Sequence, residues 1–134
     1  MTEQLSKKVV LAIEDERPLL QIYKIMLEKY GIHTFIAEDG EQGLDLVKKE
    51  SPDFVILDIR MPKMDGIEVL RQMRADPKYK DIPVLILTNY NLEEYRSAVR
   101  GLNVLDFLVK SDIEIKNVVK AVKEFLEKNQ WSRF

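Results

Sequence analysis

Short runs of apolar residues alternate five times with stretches in which apolar residues recur every three or four positions. Short apolar runs are typical of strands buried on both faces of a parallel sheet, and the longer spacing is typical of amphipathic helices. The five runs are 9–13, 34–37, 54–57, 84–87 and 104–109. The second run alternates around His33, so we expect it to be an edge strand with His33 facing solvent.

Apolar stripes predict helices in the stretches between and after these runs. The stripes are Leu19, Ile22, Met26 and Tyr30; Ile67, Leu70 and Met73; Leu92, Tyr95, Val99 and Leu102; and Ile115, Val118, Val122 and Phe125. The helix between Glu41 and Lys49 has the weakest pattern. Gly31 is expected to end the first helix, and Pro18 lies near its start, where a missing N–H has no intrahelical partner to lose.

This alternation of strands and helices predicts an α/β fold. Right-handed crossovers place consecutive strands in parallel, with helices on both faces of the sheet. We therefore expect a single doubly wound (βα)5 domain with a five-stranded parallel sheet, because 134 residues fit one domain. The domain is predicted over 8–128, after a polar segment at 1–7 and before a short tail at 129–134. From the few residues after Leu126 we expect no DNA-binding output domain, unless the chain is a receiver cut from a longer protein.

Composition excludes several kinds of function. The chain has no cysteine and a single histidine, so disulfides, thiolate chemistry and histidine clusters are excluded. Its net charge is −2 and no basic stripe suits a nucleic acid. No apolar run approaches the roughly 20 residues of a membrane helix, and the first residues lack a secretion signal. We expect a cytoplasmic protein that contacts neither nucleic acid nor membrane.

Polar residues follow four of the five predicted strands. Glu14, Asp15 and Glu16 follow the first, Asp58 the third, Thr88 the fourth and Lys110 the fifth. Each taken alone also fits a structural role, such as a helix cap. Because ligands of open parallel sheets bind outside the carboxyl ends of the strands, their joint placement favours a site.

The chemistry of this mixture points to a phosphoryl group and a metal ion. Neighbouring carboxylates repel one another unless a cation neutralises them, and ligand sets made only of oxygen select hard ions such as Mg²⁺. Lys110 and Thr88 are suited to the oxygens of a phosphoryl group. Asp58 carries no proton at neutral pH and can accept that group as a nucleophile.

Four segments resemble the receiver domain of two-component response regulators, over roughly residues 8–127. The most specific is 53–66, in which a strand and Asp58 precede Met-Pro-x-Met-Asp-Gly; the others are 9–15, 82–88 and 106–110. The resemblance implies the strand order 2-1-3-4-5. It also implies that Asp58 accepts a phosphoryl group from a histidine kinase or a histidine phosphotransfer protein.

The resemblance further assigns roles to the surrounding residues. Glu14, Asp15, Asp58 and the main-chain carbonyl of Arg60 are implied to bind Mg²⁺. Thr88 and Lys110 are implied to contact phosphoryl oxygens. The protein is then a phosphoacceptor rather than an enzyme acting on other substrates, with Mg²⁺-dependent self-phosphorylation and autodephosphorylation.

The resemblance also implies a conformational switch. Movement of Thr88 and Phe107 is implied to bias the surface of the fourth helix, fifth strand and fifth helix toward an unknown protein target. Phe107 fits an ordinary core position equally well. The chain is expected to be a monomer or a dimer that forms on phosphorylation.

Several residues depart from the usual pattern of that family. Glu14 replaces an aspartate, Ser111 replaces the proline after Lys110, and Asn89 replaces a small residue. Because cis peptide bonds are largely confined to proline, the bond between Lys110 and Ser111 can be trans. We hypothesise that Asn89 and Arg60 limit access of water to the phosphoryl group and lengthen its lifetime.

Three other functions are compatible with parts of this pattern. A receiver-like interaction module that works without phosphorylation keeps the fold and is the main alternative. A flavin carrier is disfavoured because the acidic loop 14–17 repels a flavin phosphate. A phosphatase with an aspartyl nucleophile needs a second acid two residues later, where this chain has Arg60.

Overall fold

The computed structural model describes residues 3–134, and its strands and helices alternate along the chain. The strands are β1 Val9–Ile13, β2 His33–Ala37, β3 Phe54–Leu57, β4 Val84–Thr88 and β5 Asp106–Val109. The helices are α1 Glu3–Ser6, α2 Arg17–Lys29, α3 Gly40–Glu50, α4 Gly66–Ala75, α5 Glu93–Arg100 and α6 Ile115–Lys128, with one 3₁₀ turn at Lys110–Asp112. The five predicted helices are therefore α2 to α6.

The strands form one parallel sheet in the order β2-β1-β3-β4-β5, which confirms the predicted order. The chain order reverses between β1 and β3, so the crevice for a ligand opens at their carboxyl ends. One hydrophobic cluster joins the sheet to α2 and α6, and a second joins it to α3, α4 and α5. Helices thus cover both faces, as predicted, and His33 is exposed on the edge strand β2.

Helix α2 buries a different stripe from the one predicted. Leu20, Tyr23 and Leu27 are almost fully buried, whereas Ile22 is 43% exposed. The helix carries apolar residues on more than one line of its surface, so the spacing alone does not fix which line faces the sheet. The prediction was therefore wrong for Ile22. Pro18 lies in the first turn, and Gly31 follows the helix with φ of 85°.

Helix α3 forms although its apolar pattern is weak. Asp39 caps it by accepting a hydrogen bond from the N–H of Gln42 at 2.8 Å. A Cβ on Gly40 would lie 1.9 Å from the carbonyl oxygen of Met64, and one on Gly43 would lie 2.6 Å from a methyl of Ile13. Glycine at these positions lets α3 approach the sheet closely, and this replaces part of the missing apolar stripe.

Arg74 ties α4 to the amino ends of β4 and β5. Its guanidinium donates to the carbonyl oxygens of Leu102 at 2.7 Å, Ile82 at 2.9 Å, Lys80 at 3.0 Å and Asn103 at 3.2 Å. Burial lowers the pKa of Arg74 below its ordinary value, against the attraction of Asp81. The guanidinium thus provides hydrogen-bond donors for main-chain carbonyls in the loops before β4 and before β5.

Residues at both ends of the chain pack onto the core. Leu5 in α1 is 1% exposed, and the ring centre of Trp131, beyond α6, lies 6.3 Å from that of Phe54. Part of the predicted polar segment, Met1 and Thr2, lies outside the described residues, and the boundaries 8–128 stay a prediction. Within residues 3–134, no helix combines the length and apolar character that crossing a membrane requires.

Candidate functional site

The carboxyl ends of β1, β3 and β5 bring three of the predicted side chains together. Main-chain hydrogen bonds fix this edge: the N–H of Asp58 donates to Ile13 at 3.0 Å, and that of Glu14 donates to Ala37 at 3.0 Å. Lys110 follows β5 and reaches across to β3 and β1. The parallel register therefore delivers Glu14, Asp58 and Lys110 to one place from distant parts of the chain.

Three carboxylates form a compact acidic cluster. Glu14, Asp15 and Asp58 each offer an oxygen, and these oxygens lie within 4.8 Å of one another. Glu14 and Asp58 are 2% and 3% exposed, whereas Asp15 is exposed. The cluster is thus closed beneath by the sheet and open to solvent on the side of Asp15.

Lys110 is the cation of this cluster. Its Nζ lies 2.9 Å from Oδ2 of Asp58 and 3.2 Å from Oε2 of Glu16, and it also pairs with Glu14. Burial disfavours the ammonium, but hydrogen bonds to Asp58 and Glu14 outweigh burial and hold the pKa of Lys110 above its ordinary value. No peptide bond among the described residues is cis, so Lys110 reaches Asp58 with a trans bond to Ser111.

Glu14 is the most electrostatically perturbed acid of the site. Burial raises the pKa of Glu14 to about 7, and the negative charge of Asp58 acts in the same direction, while hydrogen bonds from Lys110 and the N–H of Glu16 oppose it. The Glu16 N–H donates to Oε2 at 3.0 Å, and Lys110 contacts Oε1. Both oxygens of Glu14 are therefore held in place by this chain's own groups.

The two oxygens of Asp58 have different surroundings. Oδ1 accepts a hydrogen bond from the N–H of Ile59 at 2.7 Å, while Oδ2 faces Lys110. The loop beneath them is tight, because a Cβ on Gly66 would lie 2.0 Å from the carbonyl oxygen of Asp58. The Asp65–Gly66 pair thus fits the start of α4 against Asp58, and Asp65 caps that helix through the N–H of Glu68 at 2.9 Å.

The loop after β4 forms the next wall of the site. Thr88 is completely buried, and its hydroxyl accepts a hydrogen bond from the N–H of Tyr90 at 3.2 Å. Oδ1 of Asn89 accepts from the N–H of Ser111 at 3.2 Å, so it joins this loop to the one after β5. Ser111 and Asn89, two departures from the family pattern, are therefore in contact with each other.

A small cavity of about 150 Å³ opens above Asp58. Its lining is Asp15, Glu16, Asp58, Arg60, Asn89, Tyr90 and Lys110. The guanidinium of Arg60 lies over the ring of Tyr90, 4.6 Å from its centre. Arg60 and Tyr90 therefore add a stacked cationic and aromatic pair to the lining of the cavity.

Phe107 lies in the core, away from this cavity. It is 8% exposed, pairs in register with Ile86 of β4 and has the guanidinium of Arg96 4.4 Å above its ring. The sequence identified Glu14, Asp15, Asp58, Thr88 and Lys110 as one group, and all of them lie at this edge. It did not single out Glu16 as a partner of Lys110, since a carboxylate directly before a helix equally fits a cap.

Comparison with known proteins agrees with this geometry. The profile of the family described as response regulator receiver domain matches residues 10–123, which is most of the chain. Sporulation initiation phosphotransferase F of Bacillus subtilis is 34% identical over 117 residues, covering 87% of this chain and 92% of that protein. The probable transcriptional regulator ycf27 of Guillardia theta is 36% identical over 119 residues, covering 87% of this chain and 46% of that regulator. The chain thus spans less than half of that longer relative.

A solved structure adds a metal to the comparison. The Mn²⁺-bound form of response regulator Rcp1 superposes with a TM-score of 0.76 at 28% identity, covering 93% of this chain and 99% of that one. Glu14, Asp15 and Asp58 form an acidic cluster typical of the receiver metal site.

Proposed function

The chain belongs to the family of response regulator receiver domains, and from this we propose that Asp58 accepts a phosphoryl group from a histidine kinase or histidine phosphotransfer protein. One observation carries the proposal: Asp58 lies in a cluster of three carboxylates with Lys110 2.9 Å from its Oδ2. A receiver domain with this acidic pocket is a phosphoacceptor signalling module. Our proposal adds that Asp58 is the acceptor and that a phosphohistidine is the donor.

The geometry favours Oδ2 of Asp58 as the nucleophile. Oδ1 is engaged by the N–H of Ile59, which fixes the carboxylate, while Oδ2 faces Lys110. In the transfer, Oδ2 bonds to phosphorus, the bond between phosphorus and the histidine nitrogen breaks, and the imidazole leaves with that electron pair. Lys110 can then pair with a phosphoryl oxygen, and buried Thr88 can donate its hydroxyl to another.

The donor set of the acidic cluster fits Mg²⁺. It consists only of carboxylate oxygens, which hard divalent cations prefer, and the exposed Asp15 leaves a route for water molecules that Mg²⁺ retains. We propose Glu14, Asp15, Asp58 and the main-chain carbonyl of Arg60 as the residues that hold it. Bound there, Mg²⁺ supplies positive charge that offsets the repulsion among the acids and the phosphoryl oxygens.

Asn89 and Arg60 are proposed to control the lifetime of the phosphoryl group. Asn89 accepts a hydrogen bond from Ser111 and the guanidinium of Arg60 lies over Tyr90, and both residues line the cavity that also contains Asp58, where they can limit the approach of water to phosphorus. We expect Asn89→Ala and Arg60→Ala to lose the phosphoryl group faster than wild type. Unchanged decay in both variants would contradict this role.

The output of the switch is proposed to be a protein contact. Thr88 and Phe107 couple the site to the surface of α5, β5 and α6, which binds an unknown target after phosphorylation. Association into a dimer and a cytoplasmic location stay predictions.

The test is the intact mass of the protein after incubation with Mg²⁺ and a small-molecule phosphodonor. We expect one added phosphoryl group in wild type and none in Asp58→Ala or with a chelator. Asp45→Asn, which changes an exposed aspartate of α3, is the matched control and should be modified like wild type. No addition in any sample would instead support the interaction module that works without phosphorylation.

A further inference from the structure

The segment after α6 turns back onto β5. Asn129 ends α6 in a left-handed conformation, with φ of 55°. Trp131 then packs against the cluster under α2 and α6, with its ring centre 6.3 Å from that of Phe54. Its indole N–H donates to Oδ2 of Asp106 at 2.9 Å. The strand β5 is at the edge of the sheet, and this segment binds the side chain of its first residue.

Asp106 is the anchor of this contact. Arg133 also donates to Oδ2 through Nε at 2.9 Å, and a second nitrogen of its guanidinium pairs with Oδ1. Burial of Asp106 opposes ionisation, but hydrogen bonds from Arg133, Trp131 and the N–H of Phe107 hold the pKa of Asp106 below its usual value. The carboxylate therefore recognises an indole N–H and a guanidinium together, two residues apart in one extended segment.

A cleft continues from this anchor along β5. It has a volume of about 300 Å³ and is lined by Arg96, Phe107, Leu108, Val109, Asp112, Ile113, Arg133 and Phe134. Phe134 is 50% exposed and Arg133 is mostly solvent-accessible, so Arg133 and Phe134 lie on this surface, whereas Trp131 packs against the core. The surface thus combines a half-buried carboxylate, the aromatic rings of Phe107 and Phe134, and a cleft lined by both apolar and charged side chains.

Resting on the output role proposed above for the surface of α5, β5 and α6, we propose that the face of that surface on β5 docks a peptide in which an aromatic residue is followed two positions later by arginine, and that Trp131–Phe134 is its resting occupant. A protein target of the face then carries the same aromatic and basic chemistry and displaces the chain's own segment. The tether to α6 gives that segment an effective concentration on the order of millimolar, so it competes with weak targets and yields to strong ones.

Trp131 itself reports whether the segment is seated, because it is the sole tryptophan of the sequence. We expect its fluorescence to be blue-shifted and protected from iodide in wild type. Arg133→Ala and Asp106→Asn should shift the emission to the red and increase quenching at least two-fold. Arg71→Ala, an exposed arginine of α4, is the matched control and should behave like wild type. Quenching in both variants equal to that of wild type would overturn the anchoring by Asp106.

Docking is tested with a labelled peptide of the sequence of residues 129–134. A variant with Trp131→Ala and Arg133→Ala leaves the face open and should bind this peptide at least ten-fold more tightly than wild type, measured by fluorescence anisotropy. Adding Asp106→Asn to the open variant should weaken binding at least two-fold. Equal affinity for wild type and the open variant, or no binding to the open variant at about 1 mM peptide, would overturn the proposal. No phosphodonor is present, so the result is independent of the function proposed for Asp58.

Discussion

The carboxyl edge and the amino edge of the sheet both carry charged side chains, but they neutralise them differently. At the carboxyl edge, Glu14, Glu16 and Asp58 pair with the ammonium of Lys110, and Asp15 adds a further carboxylate beside Glu14 and Asp58. At the amino edge, the guanidinium of Arg74 is surrounded by main-chain carbonyls. Asp53 is likewise satisfied there, by the N–H of Val9 at 2.8 Å.

The difference separates a structural edge from a functional one. Main-chain carbonyls and N–H groups do not titrate, so the amino edge holds its arrangement without an added ligand. The carboxyl edge has an excess of negative charge close to Asp58, and burial raises the pKa of Glu14 to about 7. An arrangement of acids that is unfavourable by itself becomes favourable with a bound cation, which is how perturbed groups mark functional sites.

The largest expected effect comes from Asp58→Asn. Asparagine keeps one carbonyl oxygen that can accept from the N–H of Ile59 but loses the acceptor for Lys110, which still pairs with Glu14 and Glu16. Because the repulsion between Asp58 and Glu14 is lost as well, the free energy of unfolding should change by no more than about 1 kcal/mol. Phosphorylation should fall by about a thousand-fold or more, equivalent to about 4 kcal/mol in the barrier, because the nucleophile is lost. Urea unfolding and intact mass measure the two effects, and a loss of several kcal/mol in stability would remove the distinction between the edges.

The reverse result is expected for Arg74→Ala. Four carbonyls lose a charged donor, so the free energy of unfolding should decrease by about 3 kcal/mol. The folded variant should still be phosphorylated at the wild-type rate, because Arg74 is at the opposite edge. Arg71→Ala on the same helix should stay within about 0.5 kcal/mol of wild type. Slower phosphorylation of Arg74→Ala at a temperature where it is folded would show that the edges are coupled.

Sequence patterns predict which charged residues lie at the carboxyl edge of the sheet, but not all of the contacts that these and other charged residues make. Apolar runs placed the five strands, and the parallel order then placed Glu14, Asp58 and Lys110 at one edge, because the carboxyl ends of parallel strands coincide. The prediction of the buried face of α2 was wrong at Ile22, because apolar residues lie on more than one side of that helix. The contact between Asp106 and Trp131 spans 25 residues, and nothing local in either segment indicates it.

Magnesium should stabilise the protein only through the carboxyl edge. A ligand at 100 times its dissociation constant raises the free energy of unfolding by about 2.7 kcal/mol. Asp15→Asn should weaken binding about ten-fold, which reduces this gain by about half at the same concentration. Asp45→Asn should retain the full gain, and Arg74→Ala should too, although it starts from a lower stability. Denaturation with Mg²⁺ and with a chelator measures each gain, and an equal gain in wild type and Asp15→Asn would exclude Asp15 as a ligand.

The smallest expected effect is the pH dependence of Asp106, which extends the comparison to the amino end of β5. Its pKa in the folded protein lies below the usual 3.8, so its ionised form stabilises the fold above that pH, and the contribution is lost as the pH falls through the lowered pKa. Arg133 is 59% exposed, so solvent screening limits the contribution to about 0.5 kcal/mol. Wild type should therefore be more stable than Asp106→Asn near pH 7, and the difference should diminish as the pH falls below 3.8 and through the lowered pKa. If the difference in the free energy of unfolding between wild type and Asp106→Asn persists at the lowest pH, the charge of Asp106 is not its cause. Asp106 would then act through its shape and its neutral hydrogen bonds, which asparagine does not reproduce.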